Sequence, residues 1–511
     1  MTYEPLPRGK APWDFSGITR DAHGVAHYDG LPDSMVAALR ASVDEVPGKE
    51  AVVEVGGERL TYAELWERSA RVAGGLREAG VERGDRVATL LPAGVDWVVG
   101  FLGALMAGAV AVPVNTRFAP PEVEYVLDDS GARYVYRPGE KLPDAAPYVV
   151  DDLTLDDVAV IFYTSGTTGF PKGAMTTHEN LLSNIETVQR VSGMTPEEAA
   201  EARGLVSVPL FHVTGCSSQL LPQLTRGATT VIMPSFDVRT FLRVIGEERI
   251  TSMTSVPAIY ALAMRQPEFA DLDVSAVRRV AYGGAPMAPA IVAQLKERFP
   301  HARLGNGFGL TETSSVATYL PHEWAADHAE TVGFAAPVVD LALKDPDAAG
   351  VGELLVRAPN VVAGYWRKPE QTASTFVDGW LHTGDLARVD DDGLVHLVDR
   401  AKDMINRGGE NVYSVEVENA LAAAPGVAEV AVVGVPDDVM GEKVGAVVVP
   451  TSREEFDTQA VLDFLATRLA DFKIPQFISV VDTPLPRNPG GKLLKRQLRE
   501  TTAWGAPVRG K

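Results

Sequence analysis

Apolar and polar positions alternate along the first third of the chain in two different periods. Thr61 and Glu64 stand three apart, the spacing of a capping box, ahead of Leu65, Val72 and Leu76 at helical intervals, and Gly80 closes the helix. Val87–Leu91 and Val110–Val114 are short apolar runs and read as buried strands. The stretch 97–116 carries no charge, but glycines punctuate it and Pro113 and Asn115 lie inside it. It reads as a buried helix ending near Gly108 followed by a strand, so no transmembrane segment is expected. Strands separated by helices predict parallel β-α units.

The rhythm continues with strands at Gly204–Pro209, Thr229–Met233 and Arg279–Tyr282, and helices at Phe241–Glu248 and Ala290–Phe299. Between about 332 and 400, Gly, Asp and Pro crowd between short strands such as Gly352–Arg357 and Leu394–Val398, the texture of a small β-rich unit. Beyond Arg400 the pattern predicts helix Ser414–Ala423, strands Val427–Val435 and Val444–Pro450, and helix Thr458–Leu469. There is no 20–50-residue repeat.

Composition narrows the classes. With 511 residues the chain is long enough for more than one domain. A net charge of −21 repels polyanions, so no nucleic-acid partner is expected, and a phosphate ligand has to be held by local basic groups and backbone N–H donors. The single cysteine, Cys216, excludes an intrachain disulfide and a cysteine-based zinc cluster, and reads as a small buried residue. The first residues lack the apolar run of a signal peptide, and the cytoplasm is the expected location.

The sharpest chemical feature follows an apolar strand, Val158–Tyr163. The loop Thr164-Ser165-Gly166-Thr167-Thr168-Gly169-Phe170-Pro171-Lys172-Gly173 interleaves hydroxyls with glycines and ends on a lysine. Glycines let backbone approach an anion, hydroxyls and N–H groups donate to it, and Lys172 supplies charge. It is not a Walker A loop: Pro171 precedes Lys172, and no Ser or Thr follows it.

The run YTSGTTGFPKGAM resembles the signature loop of the adenylate-forming superfamily, which holds acyl-CoA synthetases, luciferases and peptide-synthetase adenylation domains. The resemblance continues in order over nearly the whole chain and is strongest to the acyl-CoA synthetases, the fatty-acid–CoA ligases. It implies an α/β fold: a large N-terminal domain, 1–400, of two α/β subdomains plus a small β-barrel-like unit, and a small mobile α+β C-terminal domain, 401–511, hinged near Lys402. It assigns the ATP β- and γ-phosphates to Thr164–Gly169 and Lys172.

Further motifs carry the resemblance onward. In Asn306-Gly307-Phe308-Gly309-Leu310-Thr311-Glu312, Thr311 can donate to a phosphate and Glu312 can bind Mg²⁺, with Thr164 as a second metal contact. The resemblance places Phe308 beside adenine, where many relatives have Tyr. Gly283-Gly284-Ala285 permits a flat ligand against the backbone, and the resemblance puts adenine and the acyl chain there. His212 among apolar neighbours reads on its own as a core histidine; the resemblance makes it a positioning residue of the acid pocket, with Val213, Cys216, Val256, Gly283 and Gly309 as its wall. Asp385 and Arg400 can accept from and donate to ribose hydroxyls, the task the resemblance gives them.

Lys492 stands after two glycines, with Lys495, Arg496 and Arg499 close by, and alone reads as part of a solvated basic segment. The resemblance makes it the adenylation lysine and a possible target of a lysine acetyltransferase. Gly408, Gly409, Glu410 and Lys443 are implied as the coenzyme A side.

The expected function is acyl-CoA synthesis: carboxylic acid, ATP and CoA give acyl-CoA, AMP and pyrophosphate through an acyl-adenylate, with Mg²⁺ and domain rotation between the steps, in a monomer or homodimer. The expected acid is a medium- or long-chain fatty acid. The alternatives are an aryl or cinnamate-type acid, or a stand-alone adenylation enzyme that loads a carrier protein.

Overall fold

A computed structural model describes residues 3–164, 171–284, 287, 289–408, 410–487 and 493–509. The chain divides into two compact units. The first is Met1–Ala342, Leu355–His382 and Val389–His396; the second is Leu343–Leu354, Thr383–Arg388 and Leu397–Lys511.

The first unit holds two α/β sheets. In the larger, the strands Arg303–Phe308, Arg279–Gly283, Ser252–Ser255, Arg203–Val206, Thr229–Ile232 and Glu50–Glu54 lie side by side and parallel. Antiparallel strands Arg59–Thr61, Thr318–Leu320 and Phe334–Ala335 finish its edges. The smaller sheet runs Ala132–Tyr136, Arg86–Thr89, Val110–Pro113 and Val158–Thr164, and is then joined antiparallel by Lys172–Thr177. Parallel strands point the same way, so the loops at their C-terminal ends gather along one edge, where α/β sheets bind ligands.

Local sequence explains the helices that cover these sheets. Thr61 accepts from the Glu64 N–H and Glu64 accepts from the Thr61 N–H at 2.8 Å, which starts helix Tyr62–Glu78. The uncharged stretch forms helix Val95–Met106, buried along almost its whole length, and Gly108 adopts φ +74° to turn the chain into strand Val110–Pro113. Among the described residues no helix is long and apolar enough to cross a membrane.

The β-rich stretch supplies strands Asp340–Lys344, Gly352–Arg357, Phe376–Val377, Trp380–Val389 and Val395–Arg400. In the second unit, strands Val427–Asp437 and Gly441–Pro450 form a long hairpin flanked by Ile405–Arg407, Glu410–Val412 and Phe477–Val480. Helices Ser414–Ala422 and Thr458–Ala466 contribute Val417, Leu421, Val461 and Leu465 to its core. Two features depart from the sequence expectation. The return strand Lys172–Thr177 continues directly from the phosphate-loop motif, and Cys216–Leu220 is a π-turn.

One buried carboxylate anchors the amino-terminal segment. Asp340 receives Arg20 at 2.7 and 2.8 Å, Arg357 at 2.9 Å and Arg8 at 3.3 Å. Burial raises its pKa, but the hydrogen bonds and charges of these arginines outweigh that and leave it lowered. Asp340→Asn is expected to cost ~2–3 kcal/mol in denaturant unfolding, below the buried-pair range because the arginines are partly solvated. A carboxylate with a lowered folded pKa stabilises above its unfolded value, so this contribution is lost as pH falls through the folded pKa, and the variant is less acid-sensitive than the parent.

Candidate active site

Strand Val158–Thr164 pairs with Lys172–Thr177 so that Thr164 faces Lys172 across the ladder. The motif expected to hold phosphates therefore starts and ends on two paired strands of a β-hairpin. Its inner residues Ser165, Gly166, Thr167, Thr168 and Gly169 lie outside the described residues, but both of its ends are set. Gly173 has no room for a side chain, since a Cβ there falls 2.5 Å from the Ile161 side chain.

The outer edge of the return strand is taken by residues 362–366. Met175 N–H donates to the Gly364 carbonyl at 2.9 Å, Ala363 N–H to Met175 at 3.1 Å, and Trp366 N–H to Gly173 at 2.7 Å. This sets the Tyr365 ring 5.0 Å from Lys172 Nζ, a cation–π distance. The Tyr365 hydroxyl donates to Glu312 Oε1 at 2.6 Å, and Val362 N–H donates to the Glu312 carbonyl at 2.9 Å. Lys172 and Glu312, far apart in sequence, thus meet around Tyr365. Sequence reading missed Tyr365, whose only signal is an aromatic pair after Gly364.

Gly283 and Gly307 are neighbours at the ends of two parallel strands. A Cβ on Gly283 lies 2.3 Å from the Gly307 carbonyl oxygen, and one on Gly309 lies 1.3 Å from that of Ser315, so only glycine fits at either. Gly284 adopts φ +74°, and Ala285 lies outside the described residues. Asn306 is buried and donates to the Thr331 carbonyl, while Phe308 and Thr311 remain half-buried at the strand end. After the turn Thr311–Thr313, Ser314 and Ser315 both hold positive φ, 52° and 137°. Such conformations cost on the order of 1–3 kcal/mol each. Buried Asn360 holds them by donating to the carbonyls of Thr313 and Val316, both at 2.8 Å.

A cavity of about 1190 Å³, counting its open mouth, lies against these strand ends, with Val213, Gly283 and Gly309 on its wall. The apolar wall expected from sequence is only partly there. Cys216 is fully buried in the core with Leu220 and Leu221, where burial pushes its thiol pKa up; the π-turn directs Ser218 and Gln219 to the cavity instead. Val256 packs against the second core at the start of helix Pro257–Met264 and does not line the cavity. Neither does His212, whose ring meets Phe211 edge-on at 4.7 Å. Burial, with Arg117 adding to it, lowers its pKa to about 4, so the imidazole is neutral at ordinary pH.

In the second unit, Arg400 Nε meets Asp385 Oδ1 at 2.6 Å, so the two expected ribose groups stand together. The Thr383 hydroxyl accepts from Asp385 N–H at 3.0 Å, and Ala401 N–H donates to Gly384. The neighbouring Asp399 accepts from the Ser414 backbone and hydroxyl. Lys495 donates to that hydroxyl at 2.7 Å and pairs with Glu418 at 2.8 Å. Lys402 is solvent-exposed. Gly408 holds φ +62° in the hairpin turn that joins Arg407 to Glu410, and its N–H reaches the Met440 carbonyl at 2.7 Å. That brings it to the stretch containing Lys443, which pairs with Asp437 at 2.6 Å. Gly409 and Lys492 lie outside the described residues.

A profile described as AMP-binding enzyme matches residues 39–149 and 136–366, and one for the AMP-binding enzyme C-terminal domain matches 416–492. The chain belongs to this family. It is an AMP-forming ligase of the adenylate-forming class. A feruloyl-CoA synthase of Amycolatopsis is 40% identical, covering 88% of this chain and 95% of that enzyme. The long-chain-fatty-acid–CoA ligase FadD13 of Mycobacterium tuberculosis is 36% identical over 92% of this chain and 98% of its own. The o-succinylbenzoate CoA synthetase of Bacillus subtilis, solved with its acyl-adenylate, superposes with TM-score 0.82 at 28% identity, covering 92% and 99% of the two chains.

Two expectations follow for the ligase. Tyr365→Phe removes the bond to Glu312 and is expected to slow pyrophosphate release about tenfold, read by a coupled pyrophosphate assay. His212 stays an uncharged imidazole around neutral pH, so His212→Phe is expected to leave the shape of the pH–rate profile unchanged between about pH 6 and 8. Its lowered pKa means that folded protein binds fewer protons than unfolded between about pH 4 and 6.5. The parent therefore loses stability across that window on acidification, and the variant loses less, as melting curves would report.

Proposed function

We propose that the ligase joins a carboxylic acid to coenzyme A in two steps with ATP as energy source. The carrying observation is the meeting of Lys172, Tyr365 and Glu312 at the end of the phosphate-loop hairpin, beside strand ends where only glycine fits. In the first step a carboxylate oxygen bonds to the α-phosphorus and the bond to pyrophosphate breaks. The acid is already ionised at neutral pH, so no base is needed. In the second step the CoA sulfur bonds to the acyl carbon, its proton leaves, and the bond to AMP breaks.

Thr164–Gly169 and Lys172 hold the β- and γ-phosphates, Thr311 the α-phosphate, and Asp385 with Arg400 the ribose hydroxyls. Gly283, Gly284, Ala285 and Phe308 flank adenine. Among the described residues no group of three or more His, Cys, Asp or Glu could hold a metal. Glu312 offers one carboxylate with one oxygen fixed by Tyr365. A small hard dication that keeps water and phosphate oxygens in its shell fits that donor set, which suits Mg²⁺ held by Glu312 with Thr164. When bound it supplies charge neutralisation for the leaving pyrophosphate.

Lys492 serves the first step and Gly408–Glu410 with Lys443 the second, exchanged by rotation near Lys402. The acid occupies the cavity. FadD13 and the feruloyl-CoA synthase support a fatty and an aryl acid respectively. A carrier protein as thiol acceptor has support from ScoC of Streptomyces coeruleorubidus, a fatty acid–[acyl-carrier-protein] ligase 34% identical.

Lys492→Ala is expected to abolish adenylate formation, by at least about 100-fold, while sparing thioester formation from supplied acyl-AMP. Equal loss of both half-reactions would refute its role, and thioester formed only with added carrier protein would refute CoA as the acceptor.

A further inference from the structure

The cavity wall carries polar groups in a regular pattern. Gln219 lies in the π-turn Cys216–Leu220, Gln223 in the helix Leu221–Leu224 that follows it and Arg226 in the turn just beyond, at i, i+4 and i+7 in the chain, and all three line the cavity. A face at this spacing on a buried element is ordinarily apolar. The apolar residues Leu220, Leu221 and Leu224 instead belong to the core.

Both glutamines carry a buried side-chain oxygen without a partner among the described residues. Gln219 is 3% exposed; its Nε2 donates to the Thr214 carbonyl at 3.0 Å, but its Oε1 has no partner. The Gln223 Oε1 is likewise buried and unpartnered. Space for that carboxamide is made by Gly204, where a Cβ would lie 2.2 Å from Gln223 Nε2. Arg226 donates to Gln189 Oε1 at 2.9 Å and to the Ile185 carbonyl at 2.7 Å. Among the described residues it has no ion-pair partner. Glu186, the carboxylate that acts on it from a distance, pairs with Arg190 at 2.8 Å. The other arginines on the wall, Arg279 and Arg303, are committed to Glu198 and Glu323.

Gln223 and Arg226 lie at the far end of the cavity from the reacting carboxylate, whereas Gln219 follows Ser218, whose hydroxyl meets that of Ser315 beside Gly309. The wall includes Gly283 and Gly307 at the C-terminal ends of two parallel strands, and also Arg279, Arg303, Ser252 and Ala228 at or beside strand starts. It therefore spans the strands, about 13 Å over four residue steps. Arg226 comes just before strand Thr229–Ile232, which is parallel to the rest, and so stands at the starting end.

We propose that Gln223 and Arg226 recognise an oxygen substituent on the end of the acid remote from its carboxylate, so that hydroxylated aryl or ring acids are the preferred substrates rather than plain fatty acids. This rests on the ligase reading above. A hydroxyl accepts from Arg226 and donates to a glutamine oxygen, satisfying both. A carboxylate accepts only and leaves the Gln223 oxygen bare, and an alkyl end offers neither a donor to that oxygen nor an acceptor to Arg226.

The test compares kcat/KM for CoA-thioester formation with cinnamate, 4-hydroxycinnamate, 4-carboxycinnamate and dodecanoate, in the parent and in Gln223→Leu and Arg226→Met. The parent is expected to favour 4-hydroxycinnamate over cinnamate by about tenfold or more, carried in KM, and to be weakest on dodecanoate. In the variants that ratio should collapse to about twofold or less, through loss on the hydroxylated acid. Should Arg226→Met fail to fold in a melting assay, Gln223→Leu carries the test, since its side-chain carboxamide holds nothing in the protein. Equal rates on the two acids, an unchanged ratio in Gln223→Leu, or a preference for the dicarboxylate would overturn the proposal. Failure of every acid to yield AMP would instead overturn the ligase reading and this proposal with it.

Discussion

The register of one β-hairpin governs the catalytic side of the first unit. Thr164 and Lys172 are cross-strand partners, so the phosphate loop has to close between two backbone positions that the sheet holds. A one-residue slip would turn every side chain on the return strand to its opposite face. The segment 362–366 bonds to the free edge of the same strand and leaves no room for such a slip. Lys172 and Tyr365 then meet because their segments share this ladder, and Glu312 joins them through the Val362 N–H and the Tyr365 hydroxyl. Glycines at Gly173, Gly283 and Gly309 keep the surrounding backbones close enough for the arrangement to exist.

The second unit solves a different problem. It has a small sheet with its own core, and it holds the Asp385–Arg400 pair. Asp399, Ser414, Lys495 and Glu418 form a largely buried polar chain between the residue beside Arg400 and the helix Lys495–Thr501. Burial is the largest influence on both carboxylates and raises their pKa values, while Lys495 opposes it. A fully partnered network of this kind rigidifies the elements it joins. It gives the Asp385–Arg400 pair and the helix from Lys495 a shared frame within one unit.

The acid cavity shows how local periodicity misleads where function intervenes. The resemblance placed Cys216 on the wall of the acid pocket with Val213 and Val256. The π-turn shifts the helical phase by one residue, sending Cys216 and Leu220 into the core and Gln219 to the cavity. Polar side chains left without protein partners in a lined space are the kind of local inconsistency that marks a binding function.

By itself the sequence determined the β-α alternation, the capped helix after Thr61, the buried helix closed by Gly108, the α+β carboxy-terminal region and the family-specific motifs. Each of these depends on residues close together in the chain, where periodicity, capping and glycine placement act directly. It also named Lys172, Glu312, Asp385 and Arg400. Only the tertiary structure brought Lys172 to Glu312 through Tyr365, paired Asp385 with Arg400, held Ser314 and Ser315 in strained conformations through Asn360, and turned Gln219, Gln223 and Arg226 onto one cavity. Those results depend on strand register and on which face of an element meets a neighbour, quantities set by contacts between residues that the linear string keeps far apart.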